Sequence, residues 1–153
     1  MSRFLDNIIR TAGKDRQRIV LPESNSSRIL EAARIAAREG IADITLLSNC
    51  GEVATCLEEL PFQEHSLQLI NPLTSPVRQS YADQLYLLRK EKGMTCEQAG
   101  ELVKTPIYFG MMMLKNGEAD GLTAGAIYST ADTVRPALER GAVAHRAALG
   151  VDR

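Results

Sequence analysis

Histidine and cysteine are scarce in this chain, and those present are poorly placed for metal or disulfide chemistry. Two histidines, His65 and His145, lie far apart; three cysteines, Cys50, Cys56 and Cys96, are odd in number and lack a C-x-x-C spacing. That excludes the common zinc frameworks and a disulfide scaffold, and it fits free thiols in a reducing cytoplasm. A surplus of one charge is also missing, since 18 Lys and Arg face 19 Asp and Glu for a net charge of -1. Such a balance supplies neither the basic footprint of a nucleic-acid binder nor a polybasic membrane segment. No apolar run approaches the roughly 20 residues of a bilayer span. "MSRFLDNIIRTAGKDRQ" mixes charges among its apolar positions without a small-residue cleavage site, so no secretory signal is expected. The nucleotide fingerprints G-x-x-x-x-G-K-[ST] and G-x-G-x-x-G are absent too.

What is there reads as an ordinary globular chain. Its 153 residues are 44% hydrophobic and 24% charged, enough for one domain with a substantial core. Phe4, Leu5, Ile8 and Ile9 recur at helical spacing and predict a short amphipathic helix ending near Gly13. "RIVLPE" is a buried strand closed by Pro22, and "SNSSRILEAARIAAREG" is a helix capped by serine or asparagine and ended by Gly40. "ADITLLS" is the next strand. Strand, helix and strand within about 30 residues make a βαβ unit, which implies parallel pairing. Further on, "CGEVATCLEELP" predicts a helix, "LQLINP" a strand and "VRQSYADQLYLLRKEKG" a helix to Gly93. "TCEQAGELVKTPIYFGMMMLKNGE" predicts one or two helices broken near Pro106, and "ADGLTAG" a last strand. The expected fold class is α/β: three αβα layers around a mostly parallel sheet.

Ligands of such sheets collect where strands hand over to helices. Residues Gly125 to Asp132 occupy that position. Gly125 permits a sharp turn, Ser129, Thr130 and Thr133 offer hydroxyls, and Arg135 adds a planar donor fork suited to phosphate. Phosphate is the natural guest. Hydroxyl and acidic residues before a helix are also ordinary caps, and both readings stand at this level. Arg89 ends an apolar helix face, where a cation suits either a site or the helix dipole. Met111 to Met113 beside Phe109 read as core, and the charges of "RKEKG" as a wet helix surface.

The segments "RIVLPE", "ARIAAREGIADITLLSN", "LRKEKGMT" and "MMMLKNGEADGLTAGAIYSTADTVRPAL" together resemble phosphate acetyltransferase (phosphotransacetylase), collinearly over about residues 1–139. S-T-A-D-T-V-R-P-A is the most specific part, and it favours the acetyl over the butyryl branch. The resemblance implies the first, incomplete α/β domain of the phosphate acetyl/butyryltransferase fold. It implies transfer of an acetyl group between coenzyme A and phosphate: acetyl-CoA plus phosphate gives CoA plus acetyl phosphate. No metal and no bound cofactor is implied, coenzyme A being a substrate. The implied setting is acetate metabolism by a cytoplasmic homo-oligomer, with small-molecule substrates and neither nucleic acid nor membrane as partner. Arg135 and Arg89 match arginines that hold the phosphoryl or coenzyme A end of the substrates; Ser129 and Thr130 match hydroxyls lining that pocket.

The family's thiol-activating aspartate and the serine that stabilises its tetrahedral intermediate fall in a C-terminal half with no match here. No catalytic residue is therefore assignable in this chain, and the chain alone is expected to be inactive. After Leu138 the sequence runs "ERGAVAHRAALGVDR", rich in alanine and arginine without a strand pattern. Residues 140–153 are expected to be a divergent helical or frayed tail, as in a truncated or frame-shifted product or a fragment. A competing reading is a non-catalytic module that binds CoA or acyl phosphate, or that serves oligomerisation. A nicotinamide dehydrogenase would want a glycine-rich turn where "LPESNSSR" stands.

Overall fold

The computed structural model describes residues 3–49 and 66–139. Helix α1 (Arg3–Lys14) leads into strand β1 (Gln17–Leu21), helix α2 (Ser27–Arg38) and strand β2 (Ala42–Leu47). Strand β3 (Leu67–Ile70) and helix α3 (Arg78–Arg89) follow, with a 3-10 turn over Lys90–Lys92. Helices α4 (Cys96–Val103) and α5 (Pro106–Lys115), strand β4 (Gly121–Leu122) and helix α6 (Thr130–Glu139) complete the order. The four strands pair in parallel in the order β3-β2-β1-β4. The α/β class with a parallel sheet is as expected. The helix expected over "CGEVATCLEELP" and the tail over residues 140–153 lie outside the described residues, as do Cys50 and Cys56.

Strand alternation sorts the core into two faces. Ile19 and Leu21 of β1, Ile44 and Leu46 of β2, and Leu67 and Leu69 of β3 pack with Ile29, Leu30, Ala33 and Ala36 of α2. On the opposite face Val20, Leu47 and Leu122 pack with Tyr81, Leu85, Val103, Phe109 and Met112 of the α3–α5 layer. Two apolar faces need two helical layers, and the three-layer arrangement follows. Each buried Val or Leu contributes about 1.5–3 kcal/mol.

Local chemistry explains most boundaries. Gly40 and Gly93 adopt positive φ just past α2 and the 3-10 turn, a conformation that other residues take with strain. Thr95 and Gln98 form a reciprocal capping box that starts α4, and Pro106 in the first turn of α5 separates the two helices. Met111, Met112 and Met113 are all buried, as expected of core filling. Gly110 lets α5 lie close on the sheet, because a Cβ there would stand 2.6 Å from Leu122 Cδ1. Ser26 does take the N-cap position of α2, yet its side chain makes no capping bond; instead its backbone N–H donates to Glu23 O. The apolar stripe of α1 is open to solvent at Phe4, Leu5 and Ile8. Among the described residues no helix is long and apolar enough to cross a membrane.

Candidate functional site

Strand order reverses direction between β1 and β4, so the crevice of a doubly wound sheet falls beyond their C-terminal ends. The protein places one of its own carboxylates there. Glu23, two residues past β1, is only 1% exposed. Its Oε2 accepts the backbone N–H groups of Gly125 and Ala126, each at 2.9 Å. Its Oε1 accepts those of Ile127 and Tyr128, at 2.7 and 2.6 Å. Burial pushes the Glu23 carboxyl up, but the four amides together outweigh it and hold the group below the ordinary glutamate value. Gly125, at φ 121, gives the backbone the turn that brings consecutive amides to one point. Next to Glu23, the Ser24 hydroxyl donates to Leu47 O at the end of β2. The segment after β1 thus ties down both neighbouring strands' exits.

The mouth of α6 comes next. Ser129 takes the N-cap position: its carbonyl accepts from Thr133 N, and its Oγ accepts from Asp132 N at 3.2 Å. The same hydroxyl donates to Asp132 Oδ2 at 2.6 Å. The helix therefore opens at Thr130, with Asp132 inside its first turn rather than at its start. Thr130 is exposed, while Thr133 is buried and donates to Ser129 O. Burial, with the Glu23 and Asp132 carboxylates near, pushes the Tyr128 hydroxyl up.

One turn along α6, Arg135 lines an open groove that Arg89 also borders. Arg89 stands at the end of α3, where the 3-10 turn and Gly93 bend the chain sharply into the capping box of α4. The groove measures about 930 Å³, and Arg89, Lys92 and Arg135 supply its cations. Tyr108, Met94 and Leu102 give it an apolar wall; Thr95 and Gln98 add polar groups. Glu97 and Glu101 also line it, and Glu101 is paired with Lys104 at 2.5 Å. A smaller recess shares Arg89, Lys92 and Arg135 and adds Ala131, Val134 and Leu138 of α6. Arg89, Lys92 and Arg135, set against Glu97 and the Lys104-bound Glu101, give the groove lining a cationic balance that suits a small polyanion.

Of the four residues singled out from sequence, the structure brings Arg89 and Arg135 together. Ser129 and Thr130 sit at the head of α6 and are not among the groove's lining residues. Lys92, expected as a wet surface charge, is exposed and also borders the groove. Glu23 was missed altogether. Its only sequence signal is an acidic residue set directly after a buried strand, where its charge must find partners inside. Among the described residues no group of three or more His, Cys, Asp or Glu side chains is placed to hold a metal.

The fold places this chain among the open parallel α/β domains that collect ligands at the carboxyl ends of their strands. A family profile described as phosphate acetyl/butaryl transferase matches residues 3–145, and the chain belongs to that acyltransferase family. It is 44% identical over 136 residues to a phosphate acetyltransferase of Acetivibrio thermocellus, covering 89% of this chain and 40% of the relative. Against the phosphate acetyltransferase of Thermoanaerobacterium thermosaccharolyticum the identity is 46%, covering 89% and 41%. Among solved structures, a phosphotransacetylase from Streptococcus pyogenes superposes with a TM-score of 0.79 at 35% identity, covering 91% of this chain and 43% of that one. The chain thus spans about two-fifths of the length of these two curated relatives.

Proposed function

We propose that this chain is the N-terminal part of a phosphate acetyltransferase of the acetyl-specific branch, and that its groove grips the phosphoryl end of the substrates. The observation that carries this reading is the meeting of Arg89 and Arg135, distant in sequence, on one groove with Lys92. In the whole enzyme the coenzyme A thiolate attacks the acetyl carbonyl of acetyl phosphate. A C–S bond forms, the bond from the carbonyl carbon to the phosphate oxygen breaks, and phosphate departs with that electron pair. Guanidinium groups on the phosphoryl oxygens stabilise the charge that gathers there as the bond breaks. The reverse reaction uses the same grip to hold phosphate as the nucleophile. The thiol's base and the donor to the tetrahedral intermediate are assigned to no residue of this chain. No metal or bound cofactor enters the scheme.

Ser129 and Thr130 stay in the proposal in lesser roles. The Ser129 donor is spent on Asp132, so it reaches a phosphoryl oxygen only by releasing that carboxylate. The exposed Thr130 hydroxyl needs no such release. The cytoplasmic setting and the homo-oligomer also belong to this reading, and the exposed apolar side chains of α1 support self-association.

Calorimetric titration of the 153-residue protein with phosphate, acetyl phosphate and coenzyme A, run beside an acetyl-transfer assay, tests the proposal. Phosphate and acetyl phosphate are expected to bind without turnover. Sustained acetyl-CoA formation would refute the half-site reading, and the absence of any anion binding would refute the site.

A further inference from the structure

Four consecutive backbone amides aimed at one point form an anion nest, the device that proteins commonly offer to an external phosphate. Here the nest formed by residues 125–128 is filled from inside by Glu23, two donors to each oxygen, all between 2.6 and 2.9 Å. The last of these amides belongs to Tyr128, whose neighbour Ser129 caps α6. Downstream, the same helix carries Arg135 to the groove. One continuous stretch of backbone thus joins the seated carboxylate to the helix that carries the exposed Arg135.

We propose that Glu23 is a positioning residue for the anion groove: its carboxylate, seated in the amide nest, fixes the entry of α6 and so the placement of Arg135 on the groove that Arg89 also borders. A built-in carboxylate also keeps external anions out of the nest, because a second negative charge cannot share those four donors. Phosphate is thereby directed to the arginine side chains rather than to the backbone at the helix mouth. The functional half of this proposal rests on the anion-binding reading of the groove; the structural half does not.

The test uses the full 153-residue chain with Glu23→Gln and Glu23→Ala. Glutamine keeps the volume but turns an NH2 group toward amide donors, and alanine empties the nest. Amide hydrogen exchange at residues 125–128 is followed by NMR, and inorganic phosphate binding by calorimetry. Both variants are expected to lose amide protection by at least about tenfold and to bind phosphate about tenfold more weakly. Sodium formate, against sodium chloride at the same ionic strength, should restore both in Glu23→Ala, where its carboxylate fits the vacated nest. It should leave Glu23→Gln unchanged. Wild-type protection and affinity in both variants would overturn the proposal, as would a Glu23→Ala protein that formate leaves unaltered. Should neither variant fold, the wild-type Glu23 carboxyl carbon is titrated by NMR. Amides 125–128 shifting at its midpoint support the proposal, and amides that ignore it overturn it. If wild-type protein binds no phosphate, the proposed function falls while the exchange measurement still decides the role of Glu23.

Discussion

Replacing Arg135 with alanine isolates the grip on the anion. A charge-assisted hydrogen bond is worth about 1.5–3 kcal/mol. Arg135 is exposed, so water competes for its donors and the lower figure applies: about 1.5 kcal/mol, or about tenfold in phosphate affinity. Arg89 is half-buried and should count for more, about fiftyfold or above on the upper half of that range. If both hold the same phosphate, the double variant should lose less than the sum of the two single losses, because their effects couple through one shared partner. Arg135→Lys keeps the charge but not the planar fork, and should fall between wild type and alanine. Arg38, whose side chain is 75% exposed at the end of α2 and outside the groove, supplies the control. Calorimetry at fixed ionic strength reads all five variants beside the wild type. An Arg135→Ala affinity within about twofold of wild type would remove this residue from the site. An equal loss in Arg38→Ala would show only diffuse charge attraction.

Acid should loosen the link between β1 and β4. Hydrogen bonds from the Arg18 side chain, helped by its backbone N–H, hold the Asp120 carboxyl at about 2 against an ordinary 3.8. A depressed carboxyl stabilises the fold above its unfolded value, and that stability is lost as pH falls from about 4 toward 2. Melting temperatures of wild type should therefore drop faster over that window than those of Asp120→Asn; parallel curves would contradict the assignment. Gly110→Val should cost about 1–3 kcal/mol in urea unfolding, since a Cβ meets Leu122, Val20 and Leu47 at 2.6, 3.1 and 3.2 Å. An unchanged midpoint would mean that α5 has room to lift from the sheet. Thr95→Ala should cost about 1 kcal/mol by opening the capping box, whereas Thr95→Ser should be nearly silent; equal losses would point to packing instead.

Much of the fold was legible because it is written in local patterns. β-branched and apolar runs mark β1 and β2, Ile29, Leu30, Ala33 and Ala37 mark α2 by their spacing, and Gly40 and Gly93 mark where helices must stop. Pro106 marks the start of α5 because the first turn of a helix spares its missing N–H. The legible part fades where long-range contacts decide. "ADGLTAG" reads as a strand, yet only Gly121–Leu122 pair with β1, since the chain turns away at Gly125 to meet Glu23. Helix α6 begins at Thr130 because Ser129 satisfies its first turn. The bonds of Glu23 to residues 125–128 cross more than 100 positions of sequence, beyond the reach of any period or motif. The meeting of Arg89 with Arg135 is of the same kind. Residue type suggested an anion for each, but only the packing of α3 and α6 puts them on one groove.

The most direct measurement is a crystal structure of the 153-residue protein grown with saturating phosphate. The account predicts phosphate density between the Arg89 and Arg135 guanidinium groups, with Lys92 in reach and residues 125–128 still closed on Glu23. A groove without phosphate, with Arg135 turned into solvent, or an anion seated in the amide nest in place of the Glu23 carboxylate, would contradict it.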